Sequence, residues 1–201
     1  MNEYPFNPAL AEAIIALKST DRNIASWLLG GSCGLLLQGV ALAKEPQDID
    51  IYADEQETVS LQQAWKECSI DEPEWNETAM YRSLLSHYRL GTSVVELVGD
   101  FHVRTSWCSY SIRIKDGLDK HAVDWMYAGQ HLKLMPLAHE LVFNILRERD
   151  DRTKPIARTM EEEPERHRKA IPFVMSRCEP QGELMMKLKQ LVPQCMRGIE
   201  E

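Results

Sequence analysis

Cysteine is sparse in this chain: five residues in 201, at positions 33, 68, 108, 178 and 195. The shortest spacing is 17 residues and the count is odd, so there is no CxxC pair, zinc-ligand spacing or disulfide framework. Thiols used this way fit a reducing cytoplasm. Glycine and proline, ten of each, are too few for a collagen-like or low-complexity architecture. Basic residues are outnumbered 23 to 31, leaving a net charge of −8 and a pI near 5.3. That balance excludes a protein whose main task is to coat nucleic acid or an anionic membrane, although it allows a local basic cleft. The uncharged run from Trp27 to Ala43 is seventeen residues, too short to cross a bilayer, and it holds four glycines, a serine and a glutamine. The first eight residues have neither the basic nor the apolar region of a signal peptide. No membrane segment is expected.

What is present describes a folded chain. Hydrophobic residues make up 44% and charged residues 27%, and a chain of this length buries a core without a disulfide or metal staple. Asn7-Pro8 followed by apolar spacing predicts a capped helix to about Lys18. Ile24 to Leu29 predicts a buried strand ending at Gly30-Gly31, and Ser32 then opens a second helix across residues 33–43. Gln47 to Ala53 alternates as a half-buried strand does. Asp54 to Cys68 returns to helical spacing, with Asp54 as N-cap and Glu57 in the capping-box position. Tyr81 to Leu90 and Ser93 to Val103 predict a hairpin. Ser106 to Lys115, and the pair Ala122 to Tyr127 with His131 to Met135, predict further strands. A helix follows Pro136. Beyond Pro155 the tail is helical in composition but interrupted by Pro164, Pro172, Pro180 and Pro193. The expected division is a core over 1–150 and a helical extension over 151–201 packed on it.

The chemistry is concentrated between Leu28 and Asp54. A strand that ends in two glycines and enters a helix at a serine lets backbone N–H groups approach an anion, and phosphate is the obvious guest. Alone, such a turn is commonly only a tight connection. Asp48 and Asp50, two apart on a strand, emerge from one face about 7 Å apart while Ile49 and Ile51 point into the core. Two like charges held that close favour a divalent cation, and all-oxygen ligands suit Mg²⁺ or Mn²⁺. The plainer alternative for this pair is a solvated face. Glu96 stands in an apolar strand with Val94 and Val98 on its own face, a place where an unpaired carboxylate is costly. Either it pairs with Arg82, Arg89 or Arg104, or it completes a metal site with Asp48 and Asp50.

This combination resembles the polymerase-beta-type nucleotidyltransferase superfamily, most closely its small bacterial lincosamide-type and abortive-infection-type members, over roughly residues 20–150. The resemblance implies an α/β fold (α+β in some schemes): a mixed β-sheet with flanking helices and a C-terminal helical extension. Gly30, Gly31 and Ser32 fall in the family's nucleotide-binding turn, with Gly31 and Ser32 at the positions that hold phosphates. Asp48 and Asp50 match its metal-binding aspartates, and Glu96 its third carboxylate, which helps activate an acceptor hydroxyl. The implied reaction is attack by that hydroxyl on the α-phosphorus of an NTP with loss of pyrophosphate, assisted by Mg²⁺ or Mn²⁺. Two departures stand out. Fifteen residues separate Ser32 from Asp48, and Asn144 occupies a position where many relatives carry lysine. Arg147, Arg149 and Arg152 are the candidate replacements, against the alternative of a solvated helix end.

Other motifs are weaker. His139-Glu140 opens a zinc-protease pattern, but Phe143 stands where the second histidine is required. Cys33 reads as a small packed residue rather than a nucleophile. The acidic balance favours a small-molecule acceptor, such as a cationic antibiotic, over bulk nucleic acid. The alternatives are nucleotidylation of a protein or tRNA in a toxin/antitoxin-type system, and a catalytically silent nucleotide-binding module.

Overall fold

A computed structural model describes residues 7–21, 25–127 and 129–199. The chain opens with helix α1 (Pro8–Asp21), capped as expected: the Asn7 side-chain oxygen accepts the Ala9 N–H at 2.9 Å. Then follow β1 (Trp27–Leu29), α2 (Gly31–Leu37), β2 (Ile49–Ala53) and α3 (Glu55–Ala64). The centre is β3 (Glu74–Glu77), β4 (Tyr81–Leu90), β5 (Ser93–Arg104), β6 (Ser109–Ser111), β7 (Val123–Tyr127) and β8 (Gln130–Leu134). The C-terminal part is α4 (Leu137–Leu146), α5 (Asp150–Glu162), α6 (Pro164–Arg168), α7 (Ile171–Ser176), a two-residue β9 (Cys178–Glu179) and α8 (Gly182–Leu191).

The strands form one mixed sheet in the order β3-β4-β5-β2-β1-β8-β7, with β6 pairing both β5 and β9. β2 runs parallel to β5, and β1 runs parallel to β8; the remaining pairs are antiparallel. Alternation along the strands divides the apolar residues between two faces. Ile49, Ile51, Val95 and Leu97 pack with α1 and Trp65 in one core. Tyr52 and Val98 pack with α4, α5, α7 and α8 in the other. The helices of the C-terminal part therefore cover the sheet face that carries Asp50 and Tyr52 of β2 and Glu96 and Val98 of β5.

Several expected elements come out shorter or different. The second helix ends at Leu37 rather than near residue 43, because Gln38 caps it and Gly39 turns to φ +82°. The strand expected over Ile24–Leu29 is seen from Trp27, and Ile24 lies outside the described residues. Asp54 does stand before α3 but makes no capping bond; its carboxylate instead accepts the N–H groups of Ile114 and Lys115 at 2.9 and 3.0 Å. Glu57 is likewise drawn off, to the Ser26 N–H and Lys115 Nζ. These two acids also explain why Ser106–Lys115 is not a continuous strand: its distal part is a loop tied to α3, and only Ser109–Ser111 pairs with β5.

Candidate active site

The turn after β1 is built by close contacts that only glycine accommodates. A Cβ on Gly30 would lie 2.7 Å from the Tyr52 ring, and one on Gly31 would lie 1.8 Å from Asp50 Oδ2. Gly31 also adopts φ +54°, the left-handed region. The Gly30 N–H donates to the Asp50 carbonyl at 3.0 Å, fastening the turn to β2. Ser32 follows in the first turn of α2, and its hydroxyl accepts a 2.9 Å hydrogen bond from Arg152.

β2 and β5 bring the acids together. Their parallel register sets Asp50 directly beside Glu96, and Asp48, in the bend just before β2, is close enough for its charge to act on both. Glu96 is thus on the neighbouring strand, and its partner is not an arginine: His87, opposite it on β4, places Nε2 3.9 Å from Glu96 Oε1. The His87 ring is held from the other side by Asp71, through Nδ1 at 2.6 Å and the His87 backbone N–H at 2.7 Å. Arg82, one of the arginines expected near Glu96, faces Asp100 instead.

The electrostatics follow from this crowding. Burial, then the charges of Asp48 and Glu96, push the Asp50 carboxyl up to about 7, while Arg147 and Arg152 pull the other way. Glu96 is raised by burial first and by Asp48 second, and His87 opposes the shift. An uncompensated anionic cluster of this kind is what a divalent cation relieves, and its donors are the hard oxygens that Mg²⁺ and Mn²⁺ take. The residues present therefore fit such an ion in charge and donor type. Among the described residues, no three His, Cys, Asp or Glu side chains are already gathered closely enough to enclose one.

Against Asp50, but not reached by Asp48 or Glu96, opens a cavity of about 180 Å³ whose wall includes Gly31, Ser32, Asp50, Asn144, Arg147 and Arg152. Arg149 also lines it, although its guanidinium is shared with Asp151 at 2.7–2.8 Å. The Arg147 guanidinium lies 4.6 Å from the centre of the Phe143 ring, a cation–π contact that sets its height above the floor. Asn144 turns its amide back to the Glu140 carbonyl at 2.8 Å and supplies no charge in the lysine's place. A larger cavity, about 300 Å³, lies at the other end of β1 around Trp27. Its carboxylates Glu57 and Asp119 are already paired with Lys115 and Lys133, and none of the residues expected from the sequence reaches it.

One residue of the site was noticed in the sequence only within the rejected zinc-protease pattern. Glu140 on α4 is 2% exposed, and its Oε1 accepts the Gly31 N–H at 2.9 Å. Burial raises its carboxyl to about 7, against the pull of the Gly31 amide. Its neighbour His139 is pushed down to about 3 by burial, and its Nδ1 lies 2.7 Å from the Tyr110 hydroxyl. The signal that could have exposed Glu140 was a carboxylate inside an otherwise apolar helix, the same signal that singled out Glu96.

No protein-family model matches the chain, and no curated protein matches it. Solved structures do. A candidate nucleotidyltransferase from Thermotoga maritima is similar with a TM-score of 0.63 and 20% identity, covering 80% of this chain and 98% of its own. The antibiotic-resistance factor ANT(2'')-Ia is similar with a TM-score of 0.49 and 10% identity, covering 84% of this chain and 90% of its own. The lincosamide antibiotic adenylyltransferase LnuA is similar with a TM-score of 0.46 and 13% identity, covering 72% of this chain and 94% of its own. The mixed sheet with its flanking helices has, on the Thermotoga likeness, the fold of nucleotidyltransferases.

Proposed function

We propose that the chain is a metal-dependent nucleotidyltransferase that moves a nucleoside monophosphate from an NTP to an acceptor hydroxyl. The observation that carries this reading is the register of β2 against β5, which sets Asp50 beside Glu96 next to the Gly30–Ser32 turn and an arginine-lined cavity. Asp48, Asp50 and Glu96 would hold Mg²⁺ or Mn²⁺. Bound there, the ion would neutralise charge on the phosphates and on the attacking oxygen.

The protein's own groups divide the remaining work. Ser32 and the guanidinium groups of Arg147 and Arg152 bind and orient the triphosphate, whose charge they match. Arg147, fixed on Phe143, takes the place of the lysine missing at Asn144. Glu96, raised in pKa and partly exposed, receives the proton of the acceptor hydroxyl. The acceptor oxygen bonds to the α-phosphorus as the bond from that phosphorus to the bridging oxygen breaks, and pyrophosphate leaves toward the arginines.

A small hydroxyl compound is the acceptor that fits best. The net charge of −8 opposes a polyanion and favours a cationic molecule, as an amine-bearing antibiotic would be. Among the described residues no helix is long and apolar enough to cross a membrane, and ATP with free thiols fits a cytoplasmic setting. The test is pyrophosphate release from each NTP with Mg²⁺ or Mn²⁺ across a panel of aminoglycosides and lincosamides. Release that needs both metal and acceptor, and that falls about 10²-fold or more in Asp50→Asn, supports the reading. Label appearing instead on a cell protein or tRNA would move the acceptor to a macromolecule. No release with any acceptor, together with tight NTP binding, would make the chain a silent binding module.

A further inference from the structure

In the family that this chain resembles, the glycine turn offers its backbone to phosphate. Here the Gly31 N–H is already engaged: Glu140 Oε1 accepts it at 2.9 Å. A backbone N–H is one donor, and a carboxylate beside it repels a phosphate that would compete for it. Glu140 is not a surface group that drifted inward. All ten residues of α4 are buried, and the same Oε1 lies so near the preceding residue that a Cβ on Gly30 would approach it to 3.0 Å. The Gly31 backbone it holds is the one whose left-handed φ of +54° lets Asp50 Oδ2 fill the space of the missing Cβ.

We propose that Glu140 is a positioning residue: it takes the Gly31 amide as a fixed part of the fold, sets the turn that aims Ser32 and Asp50, and leaves phosphate recognition to Ser32 and the arginines. This inference rests on the nucleotide-site reading, and it makes Gly31 a spacer rather than a phosphate ligand. The amide stays on Glu140 when nucleotide binds. Removing the acceptor oxygen frees the turn, whereas a neutral group that keeps an oxygen preserves it.

The experiment follows the Gly31 amide by ¹H–¹⁵N NMR and hydrogen exchange, with Mn²⁺·ATP affinity read separately by calorimetry. Glu140→Leu abolishes the amide's protection and weakens Mn²⁺·ATP about tenfold or more. Glu140→Gln restores the protection and recovers most of that affinity. Unchanged protection and affinity in Glu140→Leu would overturn the proposal. Should that variant not fold, the wild-type amide decides, with diamagnetic Mg²⁺·ATP as the probe. A resonance that keeps its position and protection supports the proposal, and one that shifts and exchanges as a phosphate-bound amide contradicts it. A wild-type chain that binds no nucleotide would sink the functional reading alone, since the amide comparison between the Leu and Gln variants stands without it.

Discussion

Asp50 shows how much stability the site gives up for its chemistry. Its carboxyl titrates near 7 in the folded chain, against an ordinary value near 3.8. Between those values the folded state holds a proton that the unfolded state has lost, so the contribution of Asp50 to stability is fully present below about 4 and is lost as pH rises to about 7. Glu140, also raised to about 7, acts in the same direction. His139 and His167, pushed down to about 3 and about 4 by burial, act in the opposite direction below about 6.5, so the share of Asp50 is read as the fall in melting temperature from pH 5 to pH 8 in metal-free wild type relative to Asp50→Asn. Asp50→Asn removes a buried anion from the cluster, so it flattens that slope and raises the melting temperature near pH 8. The expected rise is a few degrees, on the scale of about 2–4 °C per kcal/mol for a chain of this size. Differential scanning calorimetry across pH checks both. A more stable protein that has lost turnover is the signature of a residue kept for function rather than for folding.

At the scale of elements, α5 reaches across to α2 through a single side chain. Arg152, in the first turn of α5, bonds the Ser32 hydroxyl from 120 residues away in sequence. Arg152→Ala is expected to raise the KM for NTP by about tenfold or more with a smaller effect on kcat, measured by steady-state pyrophosphate release. The opposite split, a fall in kcat at constant KM, would assign Arg152 to the transition state alone. Elements were legible in the sequence where a periodic pattern met a definite stop. β2 was legible from Ile49, Asp50 and Ile51, whose apolar and polar residues alternate in burial as the sequence does, although Tyr52 and Ala53 are both buried and Asp48 falls just outside the strand. The β4–β5 hairpin was equally open, with Gly91-Thr92 as its turn. β3 was not: all four of its residues are exposed, so burial imposes no alternation, and it exists because β4 offers it an edge. Arg152 and Ser32 had residue types that could be noticed, but their contact depends on how α5 packs, which no local spacing encodes. Glu140 showed only as a carboxylate in an apolar helix, because its partner, the Gly31 backbone amide, leaves no mark in a sequence.

Over the whole molecule, each face of the sheet has its own core, and Asp50 and its cavity lie on the face of the C-terminal helices. One binds α1 and α3 to the back of the sheet, while the other joins β2 and β5 to α4, α5, α7 and α8. The composition foresaw that helices would follow Pro136, but not that their apolar residues would close over the face carrying the acids. Leu188 on α8 is 1% exposed in the same cluster as Leu141, Ile156 and Leu184. Leu188→Ala is expected to destabilise the whole chain by about 2–5 kcal/mol in one cooperative transition by denaturant melting. Two separated transitions would mean that the C-terminal helices fold apart from the sheet they cover.

The central claim is that Asp48, Asp50 and Glu96 act together as a cation site beside a triphosphate pocket. Isothermal calorimetry of ATP binding, with and without Mn²⁺, tests it most directly in the wild type and in the Asp48→Asn/Asp50→Asn double variant. The account predicts tight binding by the wild type only when Mn²⁺ is present, and loss of that metal-dependent gain in the double variant. ATP affinity that is the same with and without Mn²⁺, or a metal-dependent gain that survives the double substitution, would contradict it.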